Sequence, residues 1–145
     1  MKIKAINSNS RLKIKRNKVI DLARCILKDE GIIPATNEIS IIFVDDEFLR
    51  KLHKDYLNDD SYTDVMSFNL SEDEQIDGEI YISLDRAQHY ATKFGVTFGS
   101  EVTRLIIHGI LHLKGYDDAT EDQKKEMHDL ENAYLEKYSG LINLL

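Results

Sequence analysis

An α+β domain, one small mixed β-sheet with helices packed on it, is the fold class this sequence predicts. Three observations carry that expectation. Short β-branched runs are interspersed with amphipathic segments of helical period rather than segregated from them. Two strand-like runs, residues 65–70 and 79–83, flank an acidic and polar stretch, SEDEQIDG, that suits a hairpin loop and hence an antiparallel pair. The 145 residues hold no repeat, no low-complexity tract and no linker rich in Pro, Gly or Ser, so residues 1–145 read as a single domain.

The elements follow in chain order. Lys2 to Ile6 alternates like a strand, with Ile3 facing inward. From Arg16 to Glu30 the apolar set Val19, Leu22, Ala23, Ile26 and Leu27 has helical spacing, and Gly31 is a suitable stop. Cys25 is the only cysteine, which excludes an internal disulfide and a Cys-rich zinc site; it reads as a small core residue. Glu38 to Val44 (EISIIFV) reads as a buried strand. Asp45 can cap a helix with Phe48, Leu49, Leu52 and Tyr56 on its apolar side. Beyond the hairpin, Asp85 to Phe94 reads as a helix closed by Gly95. Ser100 to Leu113 is the most apolar helix, and Gly115 lies just past it. Thr120 and Gln123 have the spacing of a capping box for a last helix reaching about Tyr138.

The net charge of −7 argues against a general nucleic-acid binder, and no DNA partner is expected. Its distribution is uneven. Residues 1–18 carry Lys2, Lys4, Arg11, Lys13, Lys15, Arg16 and Lys18 and no acid, a pattern that can mark a phosphate-binding edge on an acidic body. No apolar run approaches the ~20 residues that span a bilayer, and residues 1–14 lack the apolar centre of a targeting signal. The expected location is the cytoplasm, with no membrane partner.

The chemistry is concentrated in His108-Gly-Ile-Leu-His112-Leu-Lys-Gly115-Tyr-Asp-Asp118. Residues four apart on a helix share a face, so both imidazoles can reach one ion. Gly115 can end the helix in a left-handed turn, and the returning chain can bring Asp118 as a third ligand. A pair of histidines at spacing four arises by accident about one time in six, but requiring the glycine and the third ligand lowers this to about 0.2%. The expected ligands of one divalent ion, zinc for preference, are therefore His108, His112 and Asp118, placed on a central helix. Three protein ligands leave one position open, the arrangement of catalytic zinc, so the site predicts metal-assisted hydrolysis. The spacing is shared with zinc-protease motifs, but their glutamate base is replaced here by Gly109, which cannot accept a proton. No further catalytic residue is assigned.

At these residues the sequence resembles the YbeY family, bacterial rRNA maturation factors regarded as metal-dependent, single-strand-specific endoribonucleases. HGILHLKGYDD follows the family's H-G-x-L-H-L-x-G-Y-D-H at every specified place except the last. Thr63 to Phe68 (TDVMSF) resembles T-D-V-L-S-F, and Gly78 to Ser83 (GEIYIS) resembles G-D-I-x-I-S. Glu101, Met127 and Glu131 also fall where the family has them. The resemblance covers roughly residues 40–135 and implies an α+β fold, a zinc-type ion and a role in rRNA processing or ribosome quality control. Ribosomal RNA or the small ribosomal subunit is the implied partner. Two departures stand out. Asp118 replaces the usual third histidine, and its charge should make a bound water less acidic. In the segment L-N-x-x-Y-R, His53 replaces the asparagine and Leu57 the arginine that could clamp a phosphate.

Three functions are compatible with these residues: a metallo-endoribonuclease acting on rRNA, a non-catalytic ribosome-assembly factor with a structural metal, and a zinc-dependent hydrolase of a non-RNA substrate such as a peptide. His53, His89 and His128 read as surface residues. Asp64 and Ser67 read as capping or sheet-edge groups, Met127 as packing, and Asp117 as an option for supporting a ligand histidine.

Overall fold

The computed structural model describes residues 2–32, 38–71 and 77–142. Its elements are β1 (Lys2–Asn7), α1 (Arg16–Asp29), β2 (Glu38–Val44), α2 (Asp46–Leu57), β3 (Val65–Asn69), β4 (Gly78–Ser83), α3 (Leu84–Phe94), α4 (Phe98–Lys114), α5 (Glu121–Lys137) and α6 (Ser139–Ile142). The strands form one mixed sheet in the order β1-β2-β4-β3. β1 and β4 flank β2 in parallel, while β3 pairs antiparallel with β4, as the hairpin reading expects. The centre of the expected hairpin loop, residues 72–76, lies outside the described residues. Among the described residues, no helix is long and apolar enough to cross a membrane.

Alternation along the strands divides the packing into two layers. Ile39, Ile41 and Phe43 of β2 and Ile80 and Ile82 of β4 face α1 and α4, and all five are fully buried. Ile3 and Ala5 extend this layer at β1, in register with Ile39 and Ile41. The opposite face carries α2 on Val44 and Met66, with Leu49 buried between them and Phe68 and Tyr81 beside them. α2 covers that face only partly. Phe48 and Tyr56, assigned by pattern to its apolar side, remain 51% and 66% exposed. Cys25 is half-buried rather than in the core.

Caps set the helix boundaries. The Asp45 carboxylate accepts from Phe48 N–H, and Thr120 and Gln123 form the reciprocal capping box at α5. Asp85 joins three segments at once. Its Oδ1 accepts from Arg11 Nη2 at 2.6 Å and its Oδ2 from Asp46 N–H at 2.9 Å, with Asn9 Nδ2 nearby at 3.4 Å. Burial works to raise its pKa, but the Asp46 N–H, the Asn9 amide and Arg11 outweigh burial and hold the carboxyl below its ordinary range. A group so depressed contributes stability that is present above the ordinary carboxylate pKa and is lost as pH falls through the lowered folded value. Asp85→Ala should therefore cost about 2 kcal/mol at pH 7. In urea unfolding, the gap between variant and wild type should narrow at acid pH; a gap independent of pH would show that ionised Asp85 is not the source.

Candidate metal centre

α4 is the spine of the molecule. Val102, Ile106, Ile107, Ile110 and Leu111 are fully buried against the sheet and its neighbouring helices. On the flank left over, Glu101, Arg104, His108 and His112 form a polar stripe at helical spacing. Gly115 ends the helix at φ 109°, and the Tyr116 N–H reaches back to the Leu111 carbonyl at 3.0 Å. The chain reverses, and five residues later Thr120 opens α5. Asp118 sits in this short connection and is carried back to the helix it has just left.

The three expected ligands meet. His108 Nε2 and His112 Nε2 are 3.0 Å apart, and Asp118 Oδ2 lies 3.5 Å from the first and 3.4 Å from the second. Tetrahedral bonds of 2.0–2.1 Å separate neighbouring donor atoms by about 3.3 Å, so the triangle has the size a zinc-type ion requires. Among the described residues it is the one group of three or more His, Cys, Asp or Glu that could hold a metal.

Support for His108 comes from α5. Glu131 Oε2 lies 2.8 Å from His108 Nδ1, and its Oε1 accepts from Arg104 Nη1 at 2.9 Å. Arg104 is steadied in turn by Asn132 Oδ1 at 2.7 Å. With Nδ1–H donated to Glu131, Nε2 is the His108 atom left to bind an ion. Burial works to lower the His108 pKa, but the Glu131 hydrogen bond and the charges of Glu131, Asp64 and Asp118 outweigh it and raise the value. Burial pushes up the carboxyls of Asp64 and Glu101, which face the same acidic neighbourhood.

Asp117 does not take the supporting role held open for it: its Oδ1 accepts from the Asp118 N–H at 3.2 Å. Met127 is buried packing, as expected, and His89 and His128 are exposed. Glu131 and Arg104 were not identified as partners of His108 by local sequence reasoning, although the polar stripe on an otherwise apolar helix was a usable signal for Arg104 and Glu101.

A groove of about 350 Å³ opens beside His112. Its walls are His53 and Leu57 from α2, residues 63 and 65–69 from the edge of the sheet, and Leu113. His53, read as a surface residue, is half-buried here, its Nδ1 3.2 Å from the Ser61 carbonyl. A second, larger depression of about 420 Å³ on the outer side of α5 contains none of the three ligands. The basic residues from Lys2 to Lys18 lie elsewhere: β1 forms the sheet edge opposite β3, and Lys4 and Arg11 are already paired with Glu38 and Asp85.

The glycine that stands in place of a protease's glutamate has a structural reason. A Cβ on Gly109 would meet Ile80 Cγ2 at 2.5 Å, and the Gly109 carbonyl accepts from Ser67 Oγ at 3.0 Å. The backbone of α4 touches the sheet there. Gly109→Ala should cost about 1–3 kcal/mol through overpacking and weaken metal binding by displacing both histidines. An unchanged unfolding midpoint would mean that the contact relaxes without cost.

The family model described as endoribonuclease YbeY matches residues 4–139. The chain belongs to the YbeY family. Among its YbeY relatives, the endoribonuclease YbeY of Chlorobaculum tepidum is 35% identical over 135 residues, covering 93% of this chain and 96% of the relative. The endoribonuclease YbeY of Karelsulcia muelleri is 44% identical over 98 residues, covering 68% and 70% of the respective chains. The solution structure of TM1509 from Thermotoga maritima superposes with a TM-score of 0.65 at 28% identity, covering 95% of this chain and 89% of that one. The α+β fold inferred from the sequence is shared with that structure.

Proposed function

We propose that this YbeY-family chain is a metal-dependent endoribonuclease that cuts single-stranded RNA during rRNA maturation and ribosome quality control in the cytoplasm, with ribosomal RNA or the small ribosomal subunit as partner. The observation that carries the reading is the triangle of His108, His112 and Asp118, with donor atoms 3.0–3.5 Å apart and a groove beside His112, in a member of an endoribonuclease family. His108, His112 and Asp118 would hold a zinc-type divalent ion, which would supply Lewis acidity and make water more acidic for hydrolysis. The protein's own contribution is positional. Glu131 and Arg104 lock the His108 ring, the Gly115 turn returns Asp118, and the groove gives a substrate room beside His112.

Purified protein should contain about one divalent ion per chain and cut a single-stranded RNA, with cleavage abolished by chelation and restored by zinc. Leu57 lines the groove and is 62% exposed, so the missing arginine leaves an open position beside His112. Leu57→Arg should raise single-turnover cleavage by about tenfold or more while changing affinity less, as expected of a charge acting on the developing phosphoryl charge. A metal-loaded wild type that binds RNA without cutting it, even with Leu57→Arg, would instead favour the assembly-factor reading, which the uncharged Leu57 supports. Metal-dependent hydrolysis of a peptide or ester with no action on RNA would favour the third.

A further inference from the structure

Thr63, Val65, Met66, Ser67, Phe68 and Asn69 all line the groove beside the metal centre. Consecutive strand residues point to opposite faces of a sheet, so a wall that includes both sets is the rim of the strand and not one of its faces. β3 ends the order β1-β2-β4-β3, and among the described residues that rim carries no neighbouring strand. The ladder determines which main-chain groups stand there. The Ser83 N–H donates to the Asp64 carbonyl at 3.0 Å and the Leu70 N–H to the Asp77 carbonyl at 2.6 Å. In this antiparallel register the even-numbered residues turn their N–H and C=O groups toward β4, and Val65, Ser67 and Asn69 turn theirs outward. Among the described residues, neither the Ser67 nor the Asn69 N–H donates a main-chain hydrogen bond.

The rest of the groove is apolar or neutral-polar, and no Lys, Arg, Asp or Glu side chain is among its lining residues. A phosphate chain would gain little from such walls. An unpaired nucleobase fits their chemistry: two apolar faces, and an edge of donors and acceptors that is free only when the base is not in a duplex. An extended peptide could also add to a bare strand edge, but membership of an endoribonuclease family favours the nucleotide. We propose that the groove is a base-recognition subsite, in which the outward N–H groups of Ser67 and Asn69 hydrogen-bond the edge of one unpaired base beside the phosphate to be cut, with Leu57 and Phe68 packed against the base. The proposal rests on the single-stranded RNA reading above and gives it a physical basis, since pairing in a duplex occupies the edge that β3 would read.

Asn69 provides the test. Its N–H points away from β4, so proline there removes one groove-facing donor and no ladder bond. Asn69→Ala keeps the N–H and removes only the side chain, which accepts from the Ser71 N–H at 2.9 Å. Binding of a fluorescent single-stranded oligoribonucleotide to zinc-loaded protein should be about five- to tenfold weaker for Asn69→Pro than for Asn69→Ala, the loss of one hydrogen bond. The same strand annealed into a duplex should not distinguish the two variants. Equal single-strand affinities, with metal content and circular dichroism matched, overturn the proposal. In the wild type, the Ser67 and Asn69 amide resonances should move on addition of the oligoribonucleotide; RNA binding that leaves both unmoved overturns it even where the proline variant does not fold. That result would spare the wider reading, whereas a zinc-loaded wild type that neither binds nor cuts RNA would remove both. Movement of these amides with a Val/Thr-rich hexapeptide and not with RNA would assign the edge to polypeptide and overturn the nucleobase.

Discussion

A variant carrying His108→Ala and His112→Ala together should hold no divalent ion, against about one per chain in the wild type, and should cut single-stranded RNA no faster than background. Two of the three donors disappear, and the carboxylate that remains, Asp118, is 42% exposed on a connecting turn. One exposed carboxylate binds zinc poorly, so the loss should exceed that of either single variant. Alanine is a strong helix former, so far-UV circular dichroism should stay close to that of the wild type. Chelation gives the complementary measurement. An ion that binds only the folded state adds stability by mass action, so a chelator should lower the wild-type melting temperature and leave the double variant unmoved. Full metal retention in the double variant would remove the site from these residues.

The second large effect is expected at a residue that touches no ion. Glu131→Ala should weaken metal binding by about 10- to 100-fold, the usual consequence of removing the group that orients a ligand histidine. It should also destabilise the fold by about 3 kcal/mol, because Arg104 loses the carboxylate that is only 7% exposed beside it. Glu131→Gln retains a hydrogen-bonding oxygen and should fall between alanine and wild type in a competition titration against a chromophoric chelator. Alanine with unchanged affinity would mean that packing alone fixes the His108 ring.

What was legible in the sequence was local. The EISIIFV strand, the Asp45 cap, the Thr120–Gln123 capping box and the Gly95 and Gly115 stops are each determined by a few neighbouring residues, and the structure places them accordingly. The three candidate ligands were legible for the same reason, since all lie on one helix or in the turn after it. Features that depend on distant segments meeting were not. Glu131 reaches His108 only because α5 folds back along α4, and the pattern within α5 does not announce it. His53 reads as a surface residue until β3 is placed beside the end of α2. The strand order is equally silent in the sequence, because β4 lies between β2 and β3 while following both in the chain. The stripe of Phe48 and Tyr56 follows a helical pattern, yet both side chains stay more than half exposed although their rings meet Tyr81 and Phe68 of the sheet.

That strand order bears on how the chain finds its shape. β3 and β4 are joined through a single short connection, and Asn69 pairs with Gly78, so this hairpin closes a small loop and can form early. The two parallel pairings differ: Lys2 must find Glu38 across α1, and Ile39 must find Gly78 across α2 and β3. Each needs a large loop to close before any ladder bond rewards it, which slows folding. The rate-limiting event expected from this topology is the docking of β2 beside β4, after the hairpin and the C-terminal helices have condensed and before β1 adds at the edge. Conservative truncations in β2, such as Ile41→Val, should then slow refolding, while truncations confined to β1 should mainly hasten unfolding. The segment that binds the ion would be assembled first, and the edge strand β1 would arrive last.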